Sequence, residues 1–433
     1  MVTSRRARGV ATAAAAVGLG LTMFSVSGVL APPPAKIAPA AAISAAPPSS
    51  ISTLQERLKR LPNDSGAWAA LGGAYLDEAV ATANPAFYGR SEGAFQQSLK
   101  ISPKENAAAV TGQAALAASR HDFSTGLKLA RASQRFNAYS AANQGVLVDT
   151  LVELGQYDQA EVELQRMVDL KPSVPSLTRV SYYRELHGDV SGARKALEQA
   201  AAFASRSNDR AFISRYLGEL AFSVGDLPMA LKHYDAGLDA APDNAALLAA
   251  RAKARVAAGK VDEGLQDYRL STTMVPLSAN IADYAAALRA SGESDQAAQQ
   301  DALTRTTYTL LRGSGSNVDL ELSLYEADHG DGEAAVQAAT REYRRRVSIH
   351  TEDALGWALH VAGDDKAALK HAEAAESLSA TNASFAYHRG MIEHSLGRKT
   401  AARRSLQRAL HINPYFSPAG SAQARQTLRE LNR

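Results

Sequence analysis

The chain of 433 residues contains no cysteine, so disulfide bonds and thiol chemistry are excluded. A lipid-modified bacterial N-terminus is excluded as well, because that attachment needs a cysteine just after an apolar segment. Aromatic residues make up only 6% of the chain, and its two tryptophans, Trp68 and Trp357, lie far apart in sequence. This scarcity argues against a polysaccharide-binding face, which would need a cluster of aromatic side chains.

Basic and acidic side chains are present in nearly equal numbers. The chain carries 47 lysines and arginines against 44 aspartates and glutamates, a formal net charge of +3. Nucleic-acid binding would favour a basic stripe with interleaved aromatic residues, and no such stripe is present. The short basic run of Arg341, Arg344, Arg345 and Arg346 is typical of a solvated helix face, with an acidic partner or lipid headgroups as the alternative.

Catalytic and metal-binding motifs are also missing. The sequence has no phosphate-binding glycine loop ending in Lys-Ser or Lys-Thr, no His-Glu-x-x-His and no Gly-x-Ser-x-Gly. The acidic stretch from Asp328 to Glu333 lacks the spacing of a calcium loop, and His388 and His394 are six residues apart, so they do not share a helix face. We therefore expect no enzyme activity, no cofactor and no metal.

The sequence does contain a series of glycines that recur about every 34 residues, which is the period of a helical repeat. We call this series the glycine column. Five residues after each glycine stands a small residue, which lets two helices approach closely. The glycines are Gly155, Gly188, Gly225, Gly259, Gly292, Gly330, Gly363 and Gly397. The small residues are Ala160, Ala193, Ala230, Gly264, Ala297, Ala335, Ala368 and Ala402.

The stretch from Ala383 to Pro414 shows the unit best. Gly397 marks a turn between two helices, Ala402, Leu406 and Ala409 share one face of the second helix, and Pro414 cannot continue that helix. Two further units precede the glycine column, one of them beginning with Trp68, Leu71, Gly72 and Tyr75. The whole pattern resembles the tetratricopeptide repeat. The resemblance implies an all-α, right-handed α-solenoid of about ten helix-turn-helix repeats.

The chain divides into four parts on this interpretation. Residues 1–30 are a signal peptide or signal anchor, residues 31–50 a linker rich in proline and alanine, residues 51–414 the repeat array, and residues 415–433 a C-terminal capping helix. The glycine- and serine-rich stretch 312–317 interrupts the array and is a candidate elbow.

The N-terminal segment predicts export. Arg5, Arg6 and Arg8 precede Val10–Leu30, which carries no charge, and a cationic start before an apolar run sends the following chain across the membrane. Val10–Leu30 is long enough for an uncleaved anchor, whereas Ala38-Pro39-Ala40 offers a cleavage pattern. The array is therefore expected on the extracytoplasmic side, either anchored in the cytoplasmic membrane or released after cleavage.

The resemblance also implies a function, which is binding of protein or peptide partners in the concave groove lined by the first helix of each repeat. The positions that face the groove in this family correspond here to Tyr182, Arg215, Glu219, Lys253, Trp357 and Tyr387. We expect a non-catalytic scaffold, or alternatively an accessory subunit that recruits substrate to a separately encoded membrane transporter or enzyme. The sequence does not indicate the partner, the oligomeric state or the face that binds.

Overall fold

The computed structural model describes residues 50–433. The predicted signal or anchor and nearly all of the predicted linker lie outside these residues, so both stay predictions. Within residues 50–433, no helix is both long and apolar enough to cross a membrane.

All regular secondary structure in residues 50–433 is helical, as the repeat pattern predicts. The 22 helices are α1 Ile51–Arg60, α2 Ser65–Thr82, α3 Ala86–Ile101, α4 Ala107–Ser119, α5 Phe123–Phe136, α6 Ala141–Glu153, α7 Tyr157–Leu170, α8 Val174–Leu186, α9 Val190–Ala201, α10 Ser207–Ser223, α11 Leu227–Ala240, α12 Ala245–Ala257, α13 Val261–Met274, α14 Ser278–Ala290, α15 Ser294–Gly313, α16 Asp319–Asp328, α17 Gly332–Arg345, α18 Ile349–Val361, α19 Asp365–Ala375, α20 Ala383–Ser395, α21 Lys399–Ile412 and α22 Pro418–Leu431. Helices α2 to α21 form ten consecutive pairs, which confirms a solenoid of about ten repeats.

The glycine column forms the turn inside each pair. All eight predicted turn glycines have a positive φ, between 71° and 91°, which a residue with a Cβ atom adopts only with strain. In the second pair, α4 and α5, His121 takes this place with a φ of 60°. The turn glycines were thus predicted correctly from the sequence.

The column of small residues lies where the two helices of a pair touch. Ala160, Ala193, Ala230 and Ala402 are completely buried. Opposite them, Gly218 on α10 leaves the space that the Tyr234 ring of α11 fills, since a Cβ atom at Gly218 would collide with that ring. Alternating small and bulky residues therefore interlock each pair.

The stretch 312–317 begins in the last turn of α15, which has 20 residues against 14 in α13. The backbone N–H of Asn317 donates a hydrogen bond to the carbonyl oxygen of Arg120, 2.8 Å away. The candidate elbow therefore lies against the turn between α4 and α5, a distant part of the chain.

Helix α22 follows the last pair in the position of a capping helix. The Ser417 side chain accepts a hydrogen bond from the backbone N–H of Gly420, and Ala424 and Leu431 are buried in the core that α20 and α21 also form. The last pair is thereby covered on the flank that would otherwise expose its apolar side chains.

The array winds far enough for one superhelical turn to contact the next. Hydrogen bonds join Arg346 to Glu153, Ile349 to Tyr157 and Asn413 to Phe222, across sequence separations of 193, 192 and 191 residues. A constant separation of this size corresponds to roughly five to six repeats of about 34 residues per turn. We call this line of contact, between residues 120–225 and residues 317–414, the seam.

Candidate partner-binding site on the concave face

The first helices of the repeats form the inner side of the superhelix. Neighbouring first helices contact one another along the array, as α6 and α8, α8 and α10, and α10 and α12 do, whereas the second helices pack mainly against first helices. Helices that lie closer to one another occupy the inner radius of a curved array. The groove that the resemblance implies is therefore lined by first helices, among them α8, α10, α12 and α14.

Four of the six predicted site residues come together on this inner surface. Tyr182 lies on α8, Arg215 and Glu219 on α10, and Lys253 on α12, and each keeps part of its side chain exposed. With Glu185 of α8 and Asp283 of α14 they form a set that we call the concave strip. The strip consists of Tyr182, Glu185, Arg215, Glu219, Lys253 and Asp283.

The charged side chains of the strip pair with one another but remain accessible to a partner. The Arg215 guanidinium lies 3.3 Å from Glu219, and the two side chains remain 20% and 36% exposed. Burial lowers the pKa of Arg215, but the Glu219 carboxylate together with the Tyr216 and Tyr234 hydroxyls outweighs this effect, and the net pKa is raised. Lys253 lies 4.0 Å from Asp283 and 5.4 Å from the centre of the Phe222 ring. These partly exposed pairs can exchange an internal contact for one with a bound chain.

Glu185 differs from the other charged residues of the strip. Its carboxyl group has no hydrogen bond or ion pair with the described residues, and burial together with the nearby Glu219 charge raises its pKa to about 7. Dehydration disfavours the charged form of a carboxyl group, and a neighbouring negative charge disfavours it further. Glu185 is therefore a carboxylate that a cationic group would stabilise.

Tyr182 occupies the end of the strip nearest the seam. Its hydroxyl lies 3.4 Å from Nε2 of His350, a residue of α18 on the next superhelical turn. Burial raises the pKa of Tyr182 well above its ordinary value, and the Glu153 and Glu185 carboxylates add to that shift. The hydroxyl therefore remains protonated and can donate a hydrogen bond.

The other two predicted residues, Trp357 and Tyr387, lie in the interior. They are only 5% and 1% exposed, and their rings are 5.7 Å apart. The Trp357 indole donates a hydrogen bond to Asp328 and stacks on His388. Both act as packing residues here because the neighbouring first helices close over them, so they are not part of the concave strip.

The basic run predicted as a solvated face is mostly engaged within the protein. Arg341 and Arg345 pair with Asp319, and Arg346 is buried between Glu153 and Glu342. Only Arg344 is exposed without a partner among the described residues. The C-terminal part of the run thus belongs to the seam.

Two residues of the strip were not singled out in the sequence. Glu185 stands at a groove-facing position of its repeat, so the family pattern could have found it. Asp283 stands one residue away from a groove-facing position of its repeat, so only its distance of 4.0 Å from Lys253 identifies it. In the part of the chain that the structure describes, no group of histidine and carboxylate side chains is arranged to hold a metal ion.

Comparison with known protein families gives one match. Residues 383–416 match the sequence profile of the tetratricopeptide repeat. This stretch is similar to a single tetratricopeptide repeat. It coincides with the pair α20 and α21, the unit that the sequence displays best. A search of curated proteins finds no matching sequence.

Solved structures that resemble the chain are tetratricopeptide-type solenoids of low sequence identity. A thermophilic TPR protein from Thermus thermophilus is 22% identical with a TM-score of 0.38, over 42% of this chain and 98% of its own. Human IFIT1, solved as a dimer with PPP-AAAA, is 15% identical with a TM-score of 0.46, over 76% and 77%. Yeast Tom70 is 9% identical with a TM-score of 0.36, over 88% and 95%. At these TM-scores, the ligands of those proteins carry no argument for this one.

Replacing Glu185 by glutamine should make the protein more stable at pH 8. The folded pKa of about 7 lies above the ordinary value of 4.5, so the folded chain holds this proton more tightly and loses stability as pH rises between those values. Removing the charge should therefore raise the free energy of unfolding by about 1 to 3 kcal/mol at pH 8, given about 1.4 kcal/mol per pKa unit. Urea unfolding at pH 8 and pH 4 measures the difference.

At pH 4 both proteins carry a neutral group at this position, so their unfolding curves should coincide. Glu198→Gln on the exposed side of α9 is the matched control and should change stability at neither pH. An E185Q protein with the parent's stability at pH 8 would show that the carboxyl group is hydrated and not strained by its surroundings.

Proposed function

We propose that the protein is a non-catalytic scaffold that binds protein or peptide partners through the concave strip. The observation that carries the proposal is the strip itself, a row of partly exposed tyrosine, arginine, lysine, glutamate and aspartate side chains on four consecutive first helices, α8, α10, α12 and α14. Charged pairs set the partner and its register, while the aromatic ring contributes apolar contact area. Helical repeats offer such inner surfaces to extended or helical peptides.

The array is further proposed to act on the extracytoplasmic side of the cytoplasmic membrane. Support for this location comes from the sequence of residues 1–30, where three arginines precede the uncharged run Val10–Leu30. Positive residues before an apolar segment keep the N-terminus in the cytoplasm. Mass spectrometry of the protein recovered from cells identifies its mature N-terminus and so tests this location.

Changing Arg215 and Glu219 together to alanine should reduce partner capture by about tenfold, because truncating a charged pair that the partner chain covers costs on the order of 1 to 2 kcal/mol of binding energy. Removing both partners leaves no unpaired charge, so the fold should remain intact. The full-length chain, tagged at Arg433, is crosslinked in intact cells, and captured proteins are quantified by mass spectrometry.

The control is a pair of the same residue types at the same spacing on the convex surface, Arg194→Ala with Glu198→Ala on α9. That variant should capture the same proteins in the same amounts as the parent. Equal capture by all three proteins would place the binding surface elsewhere. If a transporter or an enzyme dominated the captured set, the accessory-subunit alternative would be supported.

A further inference from the structure

The seam brings the second superhelical turn over one end of the concave strip. Tyr182 belongs to the strip and contacts His350 across the seam. Two residues beyond α8, Gly188 lies against Ser379 and Thr381, so closely that a Cβ atom at Gly188 would lie 3.2 Å from each side chain. The inner surface of α8, which carries Tyr182 and Glu185, therefore lies where the two turns meet.

The contacts that close the seam differ from those that hold neighbouring repeats together. Adjacent helix pairs share continuous apolar cores, whereas the seam combines polar contacts at loops with one apolar patch, in which Ile349, Ala375 and Phe385 pack against the core of α6, α7 and α8. The backbone N–H of Ile349 donates to the Tyr157 hydroxyl at 3.1 Å, and the Asn413 side chain donates to the carbonyl oxygen of Phe222 at 2.8 Å. Each such bond contributes only about 1 kcal/mol net.

The seam also buries polar atoms that have no hydrogen-bond partner among the described residues. They are Nε of Arg120, Oε2 of Glu321, Nη2 of Arg346 and Nδ1 of His350. A buried polar atom without a partner costs about 1 to 3 kcal/mol, and separation of the two turns would expose it to water. These costs oppose the contacts that close the seam and offset part of their stabilisation.

Resting on the binding function proposed above, we propose that the seam is an autoinhibitory contact. The second superhelical turn covers the α8 end of the concave strip, and a partner chain reaches that end when the two turns separate along the seam. The repeats themselves stay folded, because most of their apolar cores lie within one turn, and opening exposes only the patch around Ile349, Ala375 and Phe385. Opening changes the spacing of two rigid halves of one solenoid.

The absence of native cysteine provides the test, since a single introduced cysteine is the only site for maleimide. Glu185→Cys places the thiol in the strip, where the replaced carboxyl group has no partner to lose, and Val162→Cys places it on the convex side of α7, at a position that is 61% exposed. Each protein is treated with N-ethylmaleimide or with a polyethylene-glycol maleimide of protein-like size. We expect the V162C protein to react with both reagents. The E185C protein should react with the large one at least about tenfold more slowly, because a minor open state is populated at about 10% or less.

Opening the seam should remove this protection. In the E185C background, Gly155→Asn puts a side chain against the carbonyl oxygen of Val347, whereas Gly397→Asn has a similar φ, 73° against 71°, and open space around it. Only the Gly155 variant should gain about tenfold in reaction with the large reagent, and only it should increase the radius of gyration in small-angle X-ray scattering. Asparagine is suitable because it tolerates the left-handed conformation.

Three results would overturn the proposal. One is reaction of the large reagent with the E185C protein as fast as with the V162C protein, which would mean that the strip is always open. Another is an expanded Gly155→Asn protein in which the thiol at position 185 stays protected. The third is a folded Gly155→Asn protein that neither expands nor reacts faster.

If circular dichroism shows that the Gly155→Asn protein is unfolded, Tyr157→Phe in the E185C background is used to open the seam instead. It removes one seam hydrogen bond without changing packing volume, and about 1 kcal/mol corresponds to roughly a fivefold faster reaction with the large reagent. An unchanged rate in this variant would contradict the proposal. No binding partner takes part in these reactions, so the result is independent of whether the strip binds the proposed partners.

Discussion

Replacing Ala230 by leucine is expected to lower the free energy of unfolding by about 3 kcal/mol, at the upper end of the usual cost of overpacking a core. Ala230 is completely buried in the core between α10 and α11, together with Tyr234, whose ring fills the space over Gly218. Three additional carbon atoms have no space there, and the helices of the pair would have to separate. Because each repeat is stabilised by its neighbours, the pairs on both sides should also lose stability.

Urea unfolding followed by circular dichroism measures this loss, and hydrogen exchange locates it along the array. The matched control is Ala236→Leu on the same helix, where the side chain is exposed and the change should stay within about 0.5 kcal/mol. If both variants unfolded at the same urea concentration as the parent, the small-residue column would not be a packing requirement.

The second large effect is expected at Arg346. This guanidinium is 4% exposed, pairs with Glu153 of the first superhelical turn and with Glu342 of its own turn, and lies over the Phe123 ring. Methionine fills similar space but leaves Glu153 without its cation and Glu342 with only the more exposed Arg345. Removal of one partner from a buried ion pair costs about 3 to 5 kcal/mol, and we expect a loss of that size in urea unfolding.

Arg344 offers a control two residues away in the same basic run, since it is exposed and unpaired among the described residues. Arg344→Met should therefore leave stability within about 0.5 kcal/mol of the parent. Adding Glu342→Gln to Arg346→Met should restore part of the loss, because one of the two buried carboxylates that lose Arg346 is then neutral. A loss of equal size at both arginines would mean that general charge balance matters and the buried pairs do not.

Much of the fold follows directly from local sequence patterns. Gly397 predicted a turn because a left-handed backbone conformation favours glycine, and Ala402 predicted close helix contact because only a small side chain fits there. Such requirements involve residues a few positions apart or in the next helix, so they recur at the repeat period and are visible in the sequence. The division into ten helix pairs was predictable for the same reason.

The candidate site was predictable only in part. The groove positions of the repeat located Tyr182, Arg215, Glu219 and Lys253 on the inner surface, because every first helix presents the same face there. The same positions gave Trp357 and Tyr387, which are buried because neighbouring helices close over them. The repeat pattern shows which side of a first helix a residue lies on. How exposed that residue is depends on the side chains that pack over it.

The sequence by itself therefore determined the all-helical repeat, its turns and the inner face of each unit. The tertiary structure alone decided the seam, the burial of Arg346 and the unpaired state of Glu185. The reason is physical: a small rotation per repeat accumulates until residues about 192 positions apart meet. No local pattern encodes that sum, since it depends on the packing angle of every intervening helix pair.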